Sequence, residues 1–165
     1  MKRRRVISVN VLNEHSVLAR ISGLFAGRGY NIESLTVAPK PENCVEGNGK
    51  DSGLSRITIV TSGDEKVLEQ IIKQLHKLIP VLSVIEDDDM LEKETLLAKI
   101  AITEPLADIE ALCKAYNGRI ANANEKFIII VATDKPSRID SLITALKRFK
   151  PKEIIRSGVI AIERN

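Results

Sequence analysis

The chain has 165 residues, 44% of them hydrophobic, with no Trp, three Phe and two Tyr, so its core is aliphatic and its length suits one ordinary domain or two small ones. Its 25 basic and 22 acidic side chains leave a net charge of +3, a mixed surface and not a nucleic-acid footprint. Two cysteines without CxxC spacing and two histidines argue against a disulfide framework or a His/Cys metal cage. No apolar run approaches the ~18 residues of a membrane span, and Ser8, Asn10 and Asn13 interrupt any secretory segment after the basic start, so the cytoplasm is the expected location.

The basic run at residues 2–5 reads as a solvated terminus or a charged edge strand that deters aggregation. It opens a strand over residues 3–12, with Val6, Ser8 and Asn10 on one face and Ile7, Val9 and Val11 on the other. "NEHS" breaks the pattern. Val17, Leu18, Ile21, Leu24 and Phe25 then share one face of a helix, which Gly27 and Gly29 end. "RGYNIESLTV", residues 28–37, reads as the second strand. Residues 40–53 show no periodicity and read as a loop holding Cys44. "LSRITIVTS" is a third strand. A second helix follows Asp64, a candidate N-cap, and presents Val67, Leu68, Ile71, Ile72, Leu75, Leu78 and Ile79 before Pro80 stops it. "VLSVIED" is a fourth strand.

The acidic run at residues 87–89 marks a boundary, and the order repeats. "ETLLAKIAI" is a strand, and Pro105 precedes a helix with Leu106, Ile109, Leu112, Cys113 and Tyr116 inward. "GRIANAN" and "KFIIIVAT" are strands joined by a short turn. Residues 135–149 form a helix with Ile139, Leu142, Ile143, Leu146 and Phe149 inward, and "KEIIRSGVIAIE" closes as one strand. The second helix of each half ends alike, in Leu75, Leu78, Pro80 and in Leu146, Phe149, Pro151, and each first helix is followed by a glycine, Gly29 and Gly118. The expected fold is α+β: two ferredoxin-like βαββαβ units, residues 1–89 and 90–165. Units of ~80 residues bury limited apolar surface and leave sheet edges open, which edge-to-edge pairing in a dimer would remedy.

No catalytic constellation emerges. G-x-S-x-G, Walker and G-x-G-x-x-G patterns are absent, and "GLFAGRG" is a glycine pair at a helix end. His15 reads as an exposed loop histidine, and the carboxylates at residues 86–89 as a solvated linker, because neighbours on an extended segment point to opposite sides. No helix-turn-helix and few stacking aromatics are present, leaving a binding or regulatory module. One constellation has the geometry of a site. The turn after the first strand delivers the chain to a helix start, where the amides near Ser16, Val17 and Leu18 lack intrahelical partners and suit a carboxylate. Asn13 offers an amide donor and acceptor there, and Asn31 and Ile32 offer polar and backbone groups at the second strand. Across two chains these would form a pocket polar at one end and aliphatic at the other, fit for a small apolar amino acid. The plainer alternatives are that Asn13 or Ser16 caps the helix and Asn31 eases a turn.

"VLARISGLFAGRGYNIESLTVAP" and "LSRITIVTSGDEKVLEQIIKQLHKLIPVLSV", with "LLAKIAI" and "RSGVIAIER" in the second half, resemble the small regulatory subunits of acetohydroxyacid (acetolactate) synthase over nearly the whole chain. The resemblance implies an N-terminal ACT domain and a C-terminal ACT-like domain, with no catalytic site or cofactor of their own. It implies a large catalytic subunit as partner, carrying thiamine diphosphate, magnesium and FAD, which this subunit activates and makes sensitive to valine. It implies a homodimer through ACT domains, with valine held by Asn13 and the backbone at Ser16, Val17 and Leu18 of one chain and by Asn31 and Ile32 of its neighbour. Leucine or isoleucine could take valine's place. Two departures stand out: the family has glycine where this chain has Ser16, and its link at residues 40–53 is shorter. A free-standing amino-acid sensor that controls transcription or another enzyme is the rival reading, and its discriminator would be a DNA-binding segment that the sequence does not show.

Overall fold

The computed structural model describes residues 3–41, 53–103 and 105–164. The chain forms two compact units, one running from its start to Met90 and taking in residues 163–165, the other Leu91–Ile162. The first unit contains β1 (Arg3–Leu12), α1 (Val17–Ala26), β2 (Ser34–Pro39), β3 (Leu54–Gly63), α2 (Glu65–Leu75) and β4 (Val81–Glu86). Its antiparallel sheet has the order β2-β3-β1-β4. The second contains β5 (Met90–Ala101), α3 (Leu106–Ala115), β6 (Gly118–Ala123), β7 (Phe127–Asp134) and α4 (Pro136–Leu146) with a 3-10 turn at Lys147–Phe149. It closes with β8 (Glu153–Arg156) and β9 (Ile160–Glu163), in the order β6-β7-β5-β8, with β9 also pairing β5. Both orders are those of a βαββαβ ferredoxin-like unit, so the fold is α+β and duplicated.

In the first unit Ile7, Val9 and Val11 of β1 and Ile57 and Ile59 of β3 meet Val17, Ile21 and Phe25 of α1 and Leu68, Ile71 and Leu75 of α2. Both helices therefore cover one face of the sheet. The second unit repeats this with Leu96, Ala98, Ile100, Ile128 and Ile130 under Ile109, Cys113, Ile139, Leu142 and Leu146. Each such side chain taken out of water contributes about 1.5–3 kcal/mol, which is how an almost purely aliphatic core holds units this small. Burial raises the Cys113 thiol above its ordinary value, with the nearby Glu110 charge adding to the effect.

Several expectations need correction. β1 is a central strand and not an edge, although β4 pairs only with Ile7–Val11, so Arg3, Arg4 and Arg5 have a neighbour strand on one side alone. On the face opposite Ile7, Val9 and Val11, Val6 and Ser8 are buried as well. The second strand starts at Ser34, six residues later than its sequence pattern suggests, because Gly29 turns at φ 67° and residues 30–33 follow a separate path. α2 ends at Leu75, short of the expected stop at Pro80: Leu78 and Ile79 lie in the following turn, where Leu78 still packs on the core and Ile79 is 88% exposed. Asp64 stands at the start of α2 but makes no side-chain cap; its carbonyl accepts from the amides of Val67 and Leu68 instead. The last strand is split. At Ser157 the hydroxyl accepts the Thr95 amide at 2.9 Å while the Ser157 amide donates back to the Thr95 carbonyl at 2.8 Å, and β9 begins beyond that break. The left-handed residue after α3 is Asn117 (φ 53°) and not Gly118, whose missing Cβ instead allows contact with Cys113, Val131 and Ala132. Cys44 and most of the 40–53 loop lie outside the described residues.

Candidate functional site

The turn between β1 and α1 is built on backbone. The Leu12 amide donates to the Pro80 carbonyl at 2.9 Å and the Asn13 amide to the Gly53 carbonyl, fixing where β1 ends. Ser16 then takes φ 71° and ψ −4°, the left-handed conformation in which a side chain is strained, and this sharp step starts the helix. Its carbonyl accepts the Arg20 amide at 2.9 Å. Its side chain makes no capping hydrogen bond, so the amides of Val17, Leu18 and Ala19 at the positive end of α1 meet no capping side chain. The capping alternative for Ser16 is thereby set aside. Asn13 is exposed, and only its backbone is bonded among the described residues. Val17 points into the core at 5% exposure, so only its amide faces the turn, whereas Leu18 is 43% exposed. His15 is exposed in the same turn.

Asn31 and Ile32 sit elsewhere. They precede β2 in a segment fastened on both sides. The Tyr30 amide donates to the Phe25 carbonyl at 2.9 Å, and the Tyr30 ring packs edge-on against Phe25. The Glu33 amide donates to the Val60 carbonyl at 2.8 Å, and between them Thr61 Oγ1 donates to the Asn31 carbonyl at 2.6 Å. Ile32 packs half-buried on the first core, while Asn31 remains exposed. Thr61 pairs with Arg5 at one end of the sheet, while Asn13 follows the Leu12–Leu54 pair at the other. The two groups are thus separated by the run of β1 from Arg5 to Asn13, roughly 25 Å at ~3.3 Å per residue. One chain does not bring the six expected site residues together: they fall in two groups at opposite ends of a sheet. Thr61 escaped the sequence reading because a threonine inside a β-branched strand carries no signal beyond strand propensity.

The other charged cluster lies in the second unit. The Asp134 carboxylate accepts from Arg138 Nε at 2.8 Å, Asn117 Nδ2 at 3.0 Å, Lys93 Nζ at 3.2 Å and the Lys135 amide at 2.8 Å. Burial pushes this carboxyl up, but the donated hydrogen bonds outweigh it and hold the group at about 2, below its ordinary 3.8. Its cross-strand neighbour Glu94, also buried, binds Arg156 through two hydrogen bonds. Arg156 in turn reaches Asp140 at 2.9 Å. Every carboxylate here has a cation, which marks a fastening between elements and not a reactive centre. Two carboxylates of the acidic boundary run are paired likewise, Asp88 with Arg5 and Asp89 with Arg164, while Asp87 accepts the Asp89 amide. Among the described residues no cluster of three or more His, Cys, Asp or Glu is placed to hold a metal ion, and no helix is long and apolar enough to cross a membrane.

Comparison with known proteins covers the whole chain. Residues 7–83 match the family described as "AHAS small subunit-like ACT domain", and residues 93–165 that described as "Small subunit of acetolactate synthase". The chain is 41% identical to the acetolactate synthase small subunit of Buchnera aphidicola subsp. Baizongia pistaciae over 99% of both chains. It is 39% identical to that of Haemophilus influenzae, over 98% of this chain and 96% of the other. The crystal structure of the small subunit from Thermotoga maritima superposes with a TM-score of 0.84 at 33% identity, over 99% of this chain and 98% of that one.

Proposed function

The chain belongs to the acetolactate synthase small-subunit family, and from that premise we propose that it is the regulatory subunit of this enzyme, binding the large catalytic subunit, raising its activity and conferring feedback inhibition by valine. The observation that carries this reading is identity near 40% along the full length of chains named as small subunits. Thiamine diphosphate, magnesium and FAD belong to the catalytic partner, which performs the transfer chemistry. This chain contributes binding and conformational bias.

The two groups of residues support the effector reading in a particular arrangement. β2 is an edge strand of the first sheet, and β2 pairs through Pro39–Ser55 with the end of β3 that lies beside Val11 and Leu12. Two copies joined antiparallel through β2 would set the Ser34 end of one against the Pro39 end of the other. Asn31 and Ile32 of one chain would then approach Asn13 and the α1 start of the other, where the open amides of Val17 and Leu18 would receive the valine carboxylate. Ligand would favour one arrangement of the ACT pair, and the catalytic subunit would respond to it with a coupling of about 1–3 kcal/mol, reciprocal in binding.

The test is acetolactate formation by the matching large subunit, with its cofactors, with and without this chain across a valine titration. Stimulation that valine removes is the expected result. Stimulation that valine leaves untouched would retain the partner and discard the effector. No stimulation by folded protein would favour the free-standing sensor.

A further inference from the structure

We infer that Thr61 is a positioning residue for the effector site: its buried hydroxyl holds the Asn31 carbonyl and thereby aims the Asn31 side chain away from the sheet. The inference rests on the effector reading above. Thr61 is 0% exposed in β3, and its hydroxyl donates to the Asn31 carbonyl at 2.6 Å across the gap before β2 begins. The segment it holds has no sheet partner of its own, since β2 pairing starts only at Ser34. Without Thr61 the segment would hang from the Tyr30 amide on one side and the Glu33 amide on the other, with Asn31 and Ile32 free to turn between them. A backbone carbonyl fixed from inside the fold fixes the direction in which the side chain of the same residue leaves the backbone, and so the side of the segment on which Asn31 stands. The ligand then meets Asn31 already in place and does not have to order it, which is the general source of affinity in a preorganised site.

The experiment uses the holoenzyme reconstituted from the large subunit and the full chain, with valine as the probe. Thr61→Val keeps the shape and removes the donor. It is expected to raise the half-inhibitory valine concentration roughly fivefold while leaving stimulation without valine unchanged. Thr61→Ser, which restores a hydroxyl, is expected to return the response towards wild type. A merely structural role is separated by Ile71→Val, a truncation in the same core that leaves the Thr61 hydroxyl and its bond to Asn31 in place, and which is expected to leave valine response where it was. Hydrogen exchange at the Ile32 and Glu33 amides should quicken in Thr61→Val and not in Ile71→Val. If Thr61→Val does not fold, Thr61→Ala removes the same donor with less bulk and is read the same way. A wild-type response in the hydroxyl-less variant, with Asn31→Ala impaired, would overturn the role of Thr61 and leave the effector reading standing. An equal shift in Ile71→Val would also overturn it. No valine response in the wild type would remove the effector reading and this inference together.

Discussion

Ser16 carries a side chain where the backbone asks for none. At φ 71° the left-handed conformation costs an L-residue about 1–2 kcal/mol, part of which glycine returns through its larger unfolded-state entropy. Ser16→Gly is therefore expected to raise stability by about 0.5–1 kcal/mol, read as a higher urea midpoint, and to tighten valine binding by letting the ligand approach the backbone. Calorimetry on the same variant checks the second part, and unchanged affinity would mean that the hydroxyl and Cβ stand clear of the ligand. Asp134 makes the opposite kind of demand, since its charge is what the fold uses. Its folded value of about 2 lies below the ordinary 3.8, so its contribution is complete above roughly pH 4 and is lost as the pH falls through 2. Asp134→Asn is expected to cost on the order of 2 kcal/mol at neutral pH. The gap in urea midpoint between the two proteins should close as the pH is lowered from 5 towards 2, and a gap that persists would assign the loss to shape and not to charge.

At the scale of elements, β2 carries the assembly reading. Val37 on this edge strand is 43% exposed although it pairs with Ile57, a core residue of β3. An inward-pointing charge on a sheet edge discourages a second strand from adding there. Val37→Asp is accordingly expected to shift a dimer towards monomer in sedimentation velocity while far-UV circular dichroism is retained. An unchanged dimer would move the interface off this edge and with it the two-chain effector pocket. Periodicity disclosed every helix and nearly every strand among the described residues, because aliphatic side chains recur at helical or strand spacing with little ambiguity. It failed where hydrogen bonds at the backbone, and not the spacing of apolar side chains, set the boundary. Apolar Ile32 and Ile79 prolong a pattern beyond its element, and the exchange between Ser157 and Thr95 splits a strand that reads as continuous. The candidate site was legible only as residue types. That Asn13 and Asn31 lie at opposite ends of one sheet depends on the β2-β3-β1-β4 order, which pairs β2 with the far side of β3, and no local pattern encodes strand order.

For the molecule as a whole, the duplicated topology hides an asymmetry in how the two sheets close. β6 and β7 are joined by a tight turn in which Asn124 Oδ1 accepts the amides of Lys126 at 2.9 Å and Phe127 at 2.8 Å. Their first unit counterparts, β2 and β3, pair from Pro39–Ser55 outward across the intervening residues 40–54. Closing a longer loop costs more entropy before any pairing repays it, and the cost grows with the logarithm of loop length. The hairpin of the second unit can therefore form early, on the microsecond scale of such elements, and serve as a nucleus for β5. The first unit must assemble its sheet around β1–β3 contacts distant in sequence, which are slower to find. Two halves of one architecture would then mature at different speeds, and the later one is the half that carries Asn13, Asn31 and Thr61.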